Sequence, residues 1–355
     1  LEKCRKEHHP NCADPGESWE PPTRLICVGD SVDQQELCLY IPSEDETHIE
    51  YLALSHCWGT AKIEYVLTED NYDELCKRID FERLTKNFKD AICFTREMGF
   101  KYIWIDSVCI KQGSREDWAQ EAGRMSTVYA RAACTISSSG SATSEGGLYH
   151  DQNFLSRYPC VLLSTSSGSF TVKAVADVIT HSQAARAEID RGPLGKRAWA
   201  FQERLLSHRI VHFGASLLFF ECNTLCASYL KPEGSRYSKG EAALPLHNQQ
   251  LIPKAPPFDK APPFDNKNKE LHQCWFTLVA MYTNCKLTQA IDRLVAIHGV
   301  SNSILGTEKE SRYQSGLWTR NGLFDLLWCV QGTPGERPKP YRAPSWSWGS
   351  VDGNV

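Results

Sequence analysis

The sequence predicts an α/β fold in which a mostly parallel sheet is flanked by helices. Three short apolar runs, at 51–55, 102–105 and 134–136, have the length and composition of buried strands. Two segments with helical spacing of apolar residues alternate with them, one starting at Thr85 and one near Ser114. Strands that alternate with helices in this way are typical of a parallel sheet covered on both faces.

Composition and charge exclude several classes of protein. Hydrophobic residues make up 41% and charged residues 23% of the 355 positions, which is enough apolar material for a packed core. The net charge of -4 argues against a nucleic-acid partner, and no apolar run is long enough for a membrane span. Fifteen cysteines, an odd number spread along a long chain, indicate a reducing compartment with mostly free thiols. We therefore expect a cytoplasmic protein.

The first 50 residues combine a Cys/His-rich opening with two predicted strands, Arg24–Val28 and Glu36–Ile41. The opening carries four side chains of metal-ligand type: Cys4, His8, His9 and Cys12. Structural zinc sites normally pair short Cys or His spacings with a distant second pair, and the sequence does not identify one here. We therefore favour a role for this segment in folding against the domain, with zinc as the alternative.

The two central helices are predicted from spacing and end signals. The first runs from Thr85 to Met98, and Gly99 follows as a stop signal. One face of this helix carries the apolar and small residues Phe88, Ala91, Ile92 and Thr95. The second helix begins with a serine and an acid at capping-box spacing, Ser114 and Asp117. Its predicted inner stripe is Trp118, Ala122, Met125 and Tyr129.

The second half of the chain is more varied. It contains a Ser-rich hairpin insertion at 164–178, a short helix at Trp199–Ser207 and one or two strands within Ile210–Cys222. Residues 231–270 are polar and Pro-rich, which favours a loop or linker, and helical spacing returns at 271–305 and 316–330. We therefore divide the chain into an N-terminal segment (1–50), a central domain (51–230), a linker (231–270) and a helical C-terminal region (271–355).

Ligands of open parallel sheets bind beyond the carboxyl ends of the strands. In this sequence those ends are the segments Ser55–Gly59, Asp106–Gln112 and Ser137–Gly147. Ser55, His56, Trp58 and Gly59 are candidate binding residues in the first segment: Trp58 offers a ring for stacking and Gly59 permits close backbone approach. Asp106 is the candidate acid of the second.

Five separated motifs resemble the fungal heterokaryon-incompatibility (HET) domain family in identity and order. They are Tyr-Leu-Ala-Leu-Ser-His-Cys-Trp-Gly at 51–59, Tyr-Ile-Trp-Ile-Asp-Ser-Val-Cys-Ile-Lys-Gln at 102–112, Asp-Trp with Glu121, Met125 and Val-Tyr at 117–129, Gly-Pro-Leu followed by Arg-Ala-Trp-Ala-Phe-Gln-Glu-Arg-Leu-Leu-Ser at 192–207, and Ala-Pro-Ser-Trp-Ser-Trp at 343–348. The departures are His56 where the family usually has Tyr, Gly113 where it has an acid, and Gly349 where it has Ala.

The resemblance implies a fold similar to TIR domains, some of which cleave NAD, and a role in cell death after non-self recognition. TIR enzymes keep a catalytic glutamate in a Trp-x-x-x-Glu setting, and Trp199 and Glu203 have that spacing. By this comparison Glu203 and Asp106 are the candidate catalytic residues, and Arg197 is a candidate phosphate contact. NAD would be a substrate with no cofactor required. Self-association and a separate upstream sensor protein are the expected partners.

Each candidate also has a structural interpretation. Glu203 could form an ion pair with Arg204 or Arg197, and Asp106 could cap backbone amides where its strand ends. Cys57 and Cys109 are more consistent with buried packing than with nucleophiles. The tryptophans of the later motifs are more consistent with core or domain-interface anchors: Trp199, Trp346 and Trp348. Two other functions therefore stay open. One is a non-enzymatic module for homotypic signalling, and the other is a metal-dependent enzyme of small-molecule metabolism on the same scaffold.

Overall fold

The structure of the protein is a computed structural model that describes residues 1–8, 12, 20–29, 37–60, 62–151, 160–164, 171–174, 184–229, 231–236, 266–305, 313–318, 325–332 and 337–355. The strands are β1 (Leu25–Cys27), β2 (Cys38–Tyr40), β3 (Leu52–Ser55), β4 (Tyr102–Trp104), β5 (Cys134–Ser137), β6 (Cys160–Ser164), β7 (Thr171–Ala174), β8 (Arg209–Phe213), β9 (Leu218–Cys222), β10 (Leu225–Ser228), β11 (Lys231–Arg236), β12 (Tyr313–Gln314) and β13 (Leu317–Trp318).

The α-helices are α1 (Glu2–Glu7), α2 (Tyr72–Lys77), α3 (Lys86–Glu97), α4 (Asp106–Cys109), α5 (Arg115–Arg131), α6 (Ala198–Leu206), α7 (Asn266–Thr283) and α8 (Val295–Leu305). Short 3-10 turns occupy Phe81–Arg83, Leu194–Lys196, Ala290–Arg293 and Trp348–Ser350, and a π-helical turn occupies Arg186–Asp190. None of the helices in the described ranges combines the length and apolar character needed to cross a membrane.

Nine strands form one sheet in the order β11-β10-β9-β8-β5-β3-β4-β1-β2. The four central strands, β8, β5, β3 and β4, are mutually parallel, and antiparallel strands continue the sheet on both sides. Because β2 pairs antiparallel with β1 and β10 pairs antiparallel with β9, both β2 and β10 run in the same direction as the four central strands. Most strands of the sheet therefore run in one direction. The predicted α/β class, with its mostly parallel sheet flanked by helices, is confirmed.

The central helices form where the sequence predicted them. Ser114 caps α5, because its Oγ accepts a hydrogen bond of 3.3 Å from the backbone N–H of Asp117. Gly99 follows α3 with φ of 76°, a backbone conformation that favours glycine. The predicted inner face of α3 is buried against the sheet, which places the main core between this helix layer and the central strands.

A second apolar cluster joins α6 to the C-terminal helices. Its buried side chains include Trp275 and Tyr282 of α7, Trp318 of β13 and Trp348 near the C-terminus. Trp348 also donates a hydrogen bond of 2.9 Å from Nε1 to the carbonyl oxygen of Gly316. The C-terminal region therefore packs directly on the helix that carries Glu203, and its helical part is confirmed.

Four predictions in the flanking regions were wrong in part. Residues 231–236 form the edge strand β11, and α7 begins at Asn266, so the linker assigned to 231–270 is shorter at both ends; residues 237–265 lie outside the described part. Leu317–Trp318 is a strand where helical spacing was expected. Trp346 is 41% exposed, because its neighbour Trp348 takes the core position. Trp118 is 38% exposed, since α5 buries Glu121 and Val128 beside the other predicted stripe residues.

Candidate functional site

The sheet register gathers polar side chains at one end of the parallel strands. Ser55, the last residue of β3, pairs with Ser137 of β5, and Ser137 pairs with His212 of β8. Asp106 follows the end of β4 and opens the short helix α4. This is the carboxyl edge at which the sequence predicted ligand-binding segments.

Asp106 connects two of those segments. Its Oδ1 lies 3.1 Å from His56 Nε2, and its Oδ2 accepts a hydrogen bond of 2.8 Å from Trp58 Nε1. Oδ1 also accepts the backbone N–H of Ser107 at 2.6 Å, so Asp106 caps its own turn as well. Burial alone would raise the pKa of Asp106, but His56 and the Trp58 donor together lower it. The carboxylate is therefore held ionised, with its side chain 24% exposed.

His56 is fixed on several sides. The Ser144 Oγ lies 3.4 Å from its Nδ1, which brings the segment after β5 into the site. The ring of Phe88 packs against the imidazole edge to face, with 5.0 Å between the ring centroids. A guanidinium N–H of Arg197 donates to the backbone carbonyl oxygen of His56. Three strand-end segments and the start of α6 thus meet at this buried histidine.

Glu203 on α6 belongs to the same cluster as Asp106 and His56. The Ser55 hydroxyl donates to its carboxylate, and Asp106, His56 and Arg197 all lie close enough to act on its charge. Burial is the main cause that raises the pKa of Glu203, since the residue is only 6% exposed. The ion pair with Arg204 that the sequence left open does not form, because Arg204 binds Asp190 and Glu221 instead.

The other predicted binding residues have structural contacts. Gly59 has φ of 81°, a backbone conformation that favours glycine, and a Cβ there would lie 2.9 Å from the Thr143 side chain. Because glycine has no Cβ, the segments that contain Gly59 and Thr143 can pack together. Arg197 is half-buried and Trp58 is partly exposed. Side chains of Trp58, Asp106 and Arg197 therefore form the accessible part of the site, whereas Ser55, His56 and Glu203 form its buried floor.

Sequence reasoning missed a second polar group beside this floor. His212 Nδ1 lies 3.0 Å from Ser137 Oγ and 3.2 Å from Ser139 Oγ, and its Nε2 lies 2.8 Å from Glu221 Oε2. Arg204 binds the same Glu221 carboxylate through Nε at 3.0 Å. The available signal was the presence of His212 and Glu221 inside two otherwise apolar strands, where buried polar groups need partners.

A cavity lies beside the second polar group. It has a volume of about 20 Å³, and its lining includes Ser55, Ser137, Ala200, Arg204 and His212. A space of this size holds roughly one water molecule, and its walls offer the polar partners that a buried water needs. The cavity can therefore hold a water beside Ser55 and His212.

The cysteines of the strand-end segments are buried, which agrees with the packing interpretation. Burial raises the pKa of the Cys57 thiol and raises that of Cys109 to about 12, so both stay neutral near pH 7. Neither belongs to the metal-compatible group of the described residues, which is formed by Cys4, His8, Cys12 and Cys222. His9 lies outside the described residues.

Comparison with known families agrees with the motifs. Residues 51–203 match the family model described as Heterokaryon incompatibility protein (HET). No curated protein and no solved structure was found to match. The matched segment runs from Tyr51, just before β3, to the catalytic candidate Glu203, and so includes Ser55, His56, Trp58, Asp106 and Arg197 but not His212 or Glu221. Residues 51–203 of the chain therefore form a HET domain.

Proposed function

We propose that the HET domain hydrolyses NAD to nicotinamide and ADP-ribose, as the effector step of a cell-death response to non-self. The observation that supports this most is the pairing of Glu203 and Asp106 in one cluster with opposite pKa shifts. Two carboxyl groups with such different proton affinities can divide the acid–base and charge-stabilising roles that glycosidic hydrolysis needs.

The proposed chemistry requires little of the leaving group. The bond between the ribose C1′ and the nicotinamide nitrogen breaks, and its electron pair leaves with neutral nicotinamide. The ionised Asp106 stabilises the positive charge that develops on the sugar. A water oxygen then bonds to C1′, and the carboxylate form of Glu203 accepts the proton that this water loses. A raised pKa makes Glu203 a stronger base than an ordinary glutamate.

The accessible residues suit a dinucleotide. The guanidinium of Arg197 matches the oxygens of a pyrophosphate, and the indole of Trp58 offers a ring face for stacking. Glu203 is only 6% exposed, so the substrate must displace side chains to reach it. Assembly of several chains is the step that we expect to open the site, which explains why self-association belongs to the proposal.

Incubation of concentrated protein with NAD, followed by chromatography for nicotinamide and ADP-ribose, tests the proposal. Wild-type protein should release both products. Glu203→Gln keeps the size and the hydrogen bond from Ser55 but cannot accept a proton, so turnover should fall at least 100-fold. Glu116→Gln, an exposed change on α5 within the same domain, should turn over NAD like wild type. Equal turnover by Glu203→Gln and wild type would refute the assignment.

A non-enzymatic signalling module is the second candidate, favoured by the near-complete burial of Glu203. It predicts that the protein assembles and is toxic without consuming NAD. Toxicity of Glu203→Gln expressed in cells separates the two, because an enzyme loses toxicity with this change and a module keeps it. The burial of Cys57 and Cys109 gives no support to metal chemistry at the strand ends.

A further inference from the structure

Four buried side chains of metal-ligand type converge where the N-terminal segment meets the end of β9. Cys4 lies on α1, His8 and Cys12 follow it, and Cys222 ends β9. One ligand atom from each lies within 4.8 Å of all the others, and all four residues are buried. The sequence offered only the first three, because Cys222 is 214 positions away from His8.

The local backbone aligns the three N-terminal ligands. The N–H of His8 donates to the carbonyl oxygen of Cys4 at 3.2 Å, and the N–H of Cys12 donates to the carbonyl oxygen of His8 at 3.0 Å. Bonds between residues four apart are helical in type, so the ligands at spacing four share one face. That face meets Cys222 at the end of β9, where Leu225 and Ala227 of β10 close the apolar surround.

The distances suit a tetrahedral ion. Zinc lies about 2.3 Å from a thiolate and about 2.0 Å from an imidazole nitrogen, so a tetrahedral site separates sulfur from nitrogen by roughly 3.6 Å. The observed separation of Cys222 Sγ and His8 Nδ1 is 3.5 Å. No two ligand atoms of the group are more than 4.8 Å apart. The widest pair therefore has to move closer by roughly 1 Å to match the spacing of two thiolate sulfurs on one tetrahedral zinc ion.

The surroundings also suit a metal with thiolate ligands. Three thiolates and a neutral imidazole around Zn²⁺ leave one net negative charge, and the buried guanidinium of Arg209 donates to the carbonyl oxygen of Cys12. The Thr224 hydroxyl lies 3.4 Å from Cys12 Sγ, within reach of a hydrogen bond to sulfur. Partners of this kind orient ligands in structural sites.

We propose that Cys4, His8, Cys12 and Cys222 bind a structural Zn²⁺ that fastens the N-terminal segment to β9. Binding replaces three S–H protons, which go to solvent, with three Zn–S bonds, and His8 binds through its unprotonated nitrogen. Four protein ligands fill a tetrahedral zinc, so the ion has a structural and not a catalytic role. A disulfide would use two of the three thiols and leave the third beside an unliganded imidazole.

Metal analysis of the full chain, expressed with zinc and purified without chelator, tests the site. Wild type should contain about one zinc per chain, and Cys222→Ser should contain none. Cys226→Ser replaces a buried cysteine of the neighbouring strand that is outside the group, and it should keep the zinc. Cobalt in place of zinc should give the visible absorption of a tetrahedral thiolate site in wild type and Cys226→Ser only.

A second pair of variants separates binding from folding. His8→Cys supplies a fourth thiolate and should retain zinc, whereas His8→Ala should lose it. Chelator should lower the melting temperature of wild type, and zinc but not magnesium should restore it. Wild type free of zinc, or zinc bound equally by Cys222→Ser, would overturn the proposal. So would a mass two hydrogens below the reduced value, which would identify a disulfide. None of these readouts depends on NAD turnover.

Discussion

His56 Nε2 lies 3.1 Å from Asp106 Oδ1, so one hydrogen bond joins the segment that leaves β3 to the residue that follows β4. The same carboxylate holds the Trp58 indole through Oδ2, and Ser144 reaches the other nitrogen of His56. This polar chain adds side-chain contacts to the backbone hydrogen bonds of the strand-end segments, such as that from the N–H of Ser138 to the carbonyl oxygen of Ser55, and so gives them a single arrangement. Removal of its central carboxylate should therefore affect both stability and substrate binding.

Asp106→Asn is expected to destabilise the fold by about 1–3 kcal/mol at neutral pH, because the amide offers one acceptor oxygen where the carboxylate offers two. The pKa of Asp106 is lowered in the folded state, so its stabilisation is complete above the ordinary value of 3.8 and is lost as the pH falls through the lower folded value. Urea unfolding at neutral and acid pH should show a difference from wild type that shrinks on acidification. Asp70→Asn, an exposed change, should show no such difference.

Glu203→Gln should show the opposite dependence on pH. The folded protein holds the Glu203 proton more tightly than the unfolded chain, so wild type loses stability as the pH rises above the ordinary pKa of 4.5. A glutamine does not ionise and keeps the Ser55 hydrogen bond, so the variant should melt higher than wild type at about pH 8. The melting temperatures of the variant and the wild type should converge below pH 4.5. A variant that melts lower at alkaline pH would show that the carboxylate is stabilising.

The central fold and half of the site could be predicted from the sequence, because both depend on local patterns. The strands that end at Ser55 and Trp104 are short apolar runs, and parallel strands must bring their carboxyl ends together. Glu203 could be placed only by its resemblance to a family motif. Its raised pKa depends on packing that periodicity does not reveal.

The contacts that sequence reasoning missed are those between distant segments. His212 and Glu221 become diagonal neighbours because β8 and β9 pair antiparallel, and Cys222 at the end of β9 meets His8 of the N-terminal segment. Trp118 fits the apolar period of α5, yet its ring packs edge to face on Trp199 at the surface, with centroids 6.4 Å apart. Pairing register and tertiary packing decide these positions, and the spacing of residues in the sequence predicts neither.

Arg204→Met should cost about 3–5 kcal/mol of stability, because it leaves the buried carboxylate of Glu221 without its strongest partner. His212, at 2.8 Å, would still face that charge. The double variant with Glu221→Gln removes both charges and should recover a large part of the loss. Urea unfolding of the single and double variants measures this coupling. Additive losses in the double variant would contradict the ion pair as the cause.

Gly192→Ala and Gly123→Ala form a matched pair with opposite expected outcomes. A Cβ at Gly192 would lie 2.3 Å from the carbonyl oxygen of Glu188 and 2.9 Å from that of Ser139, and backbone atoms cannot move aside cheaply. Because Ser139 contacts His212, the strain should reach the polar group beside the cavity and cost about 2 kcal/mol or more. A Cβ at Gly123, inside α5, meets nothing within 4 Å and should stabilise the helix by about 1 kcal/mol. Thermal unfolding of both variants compares them directly, and a stable Gly192→Ala would mean that the segment before α6 can shift away from the sheet.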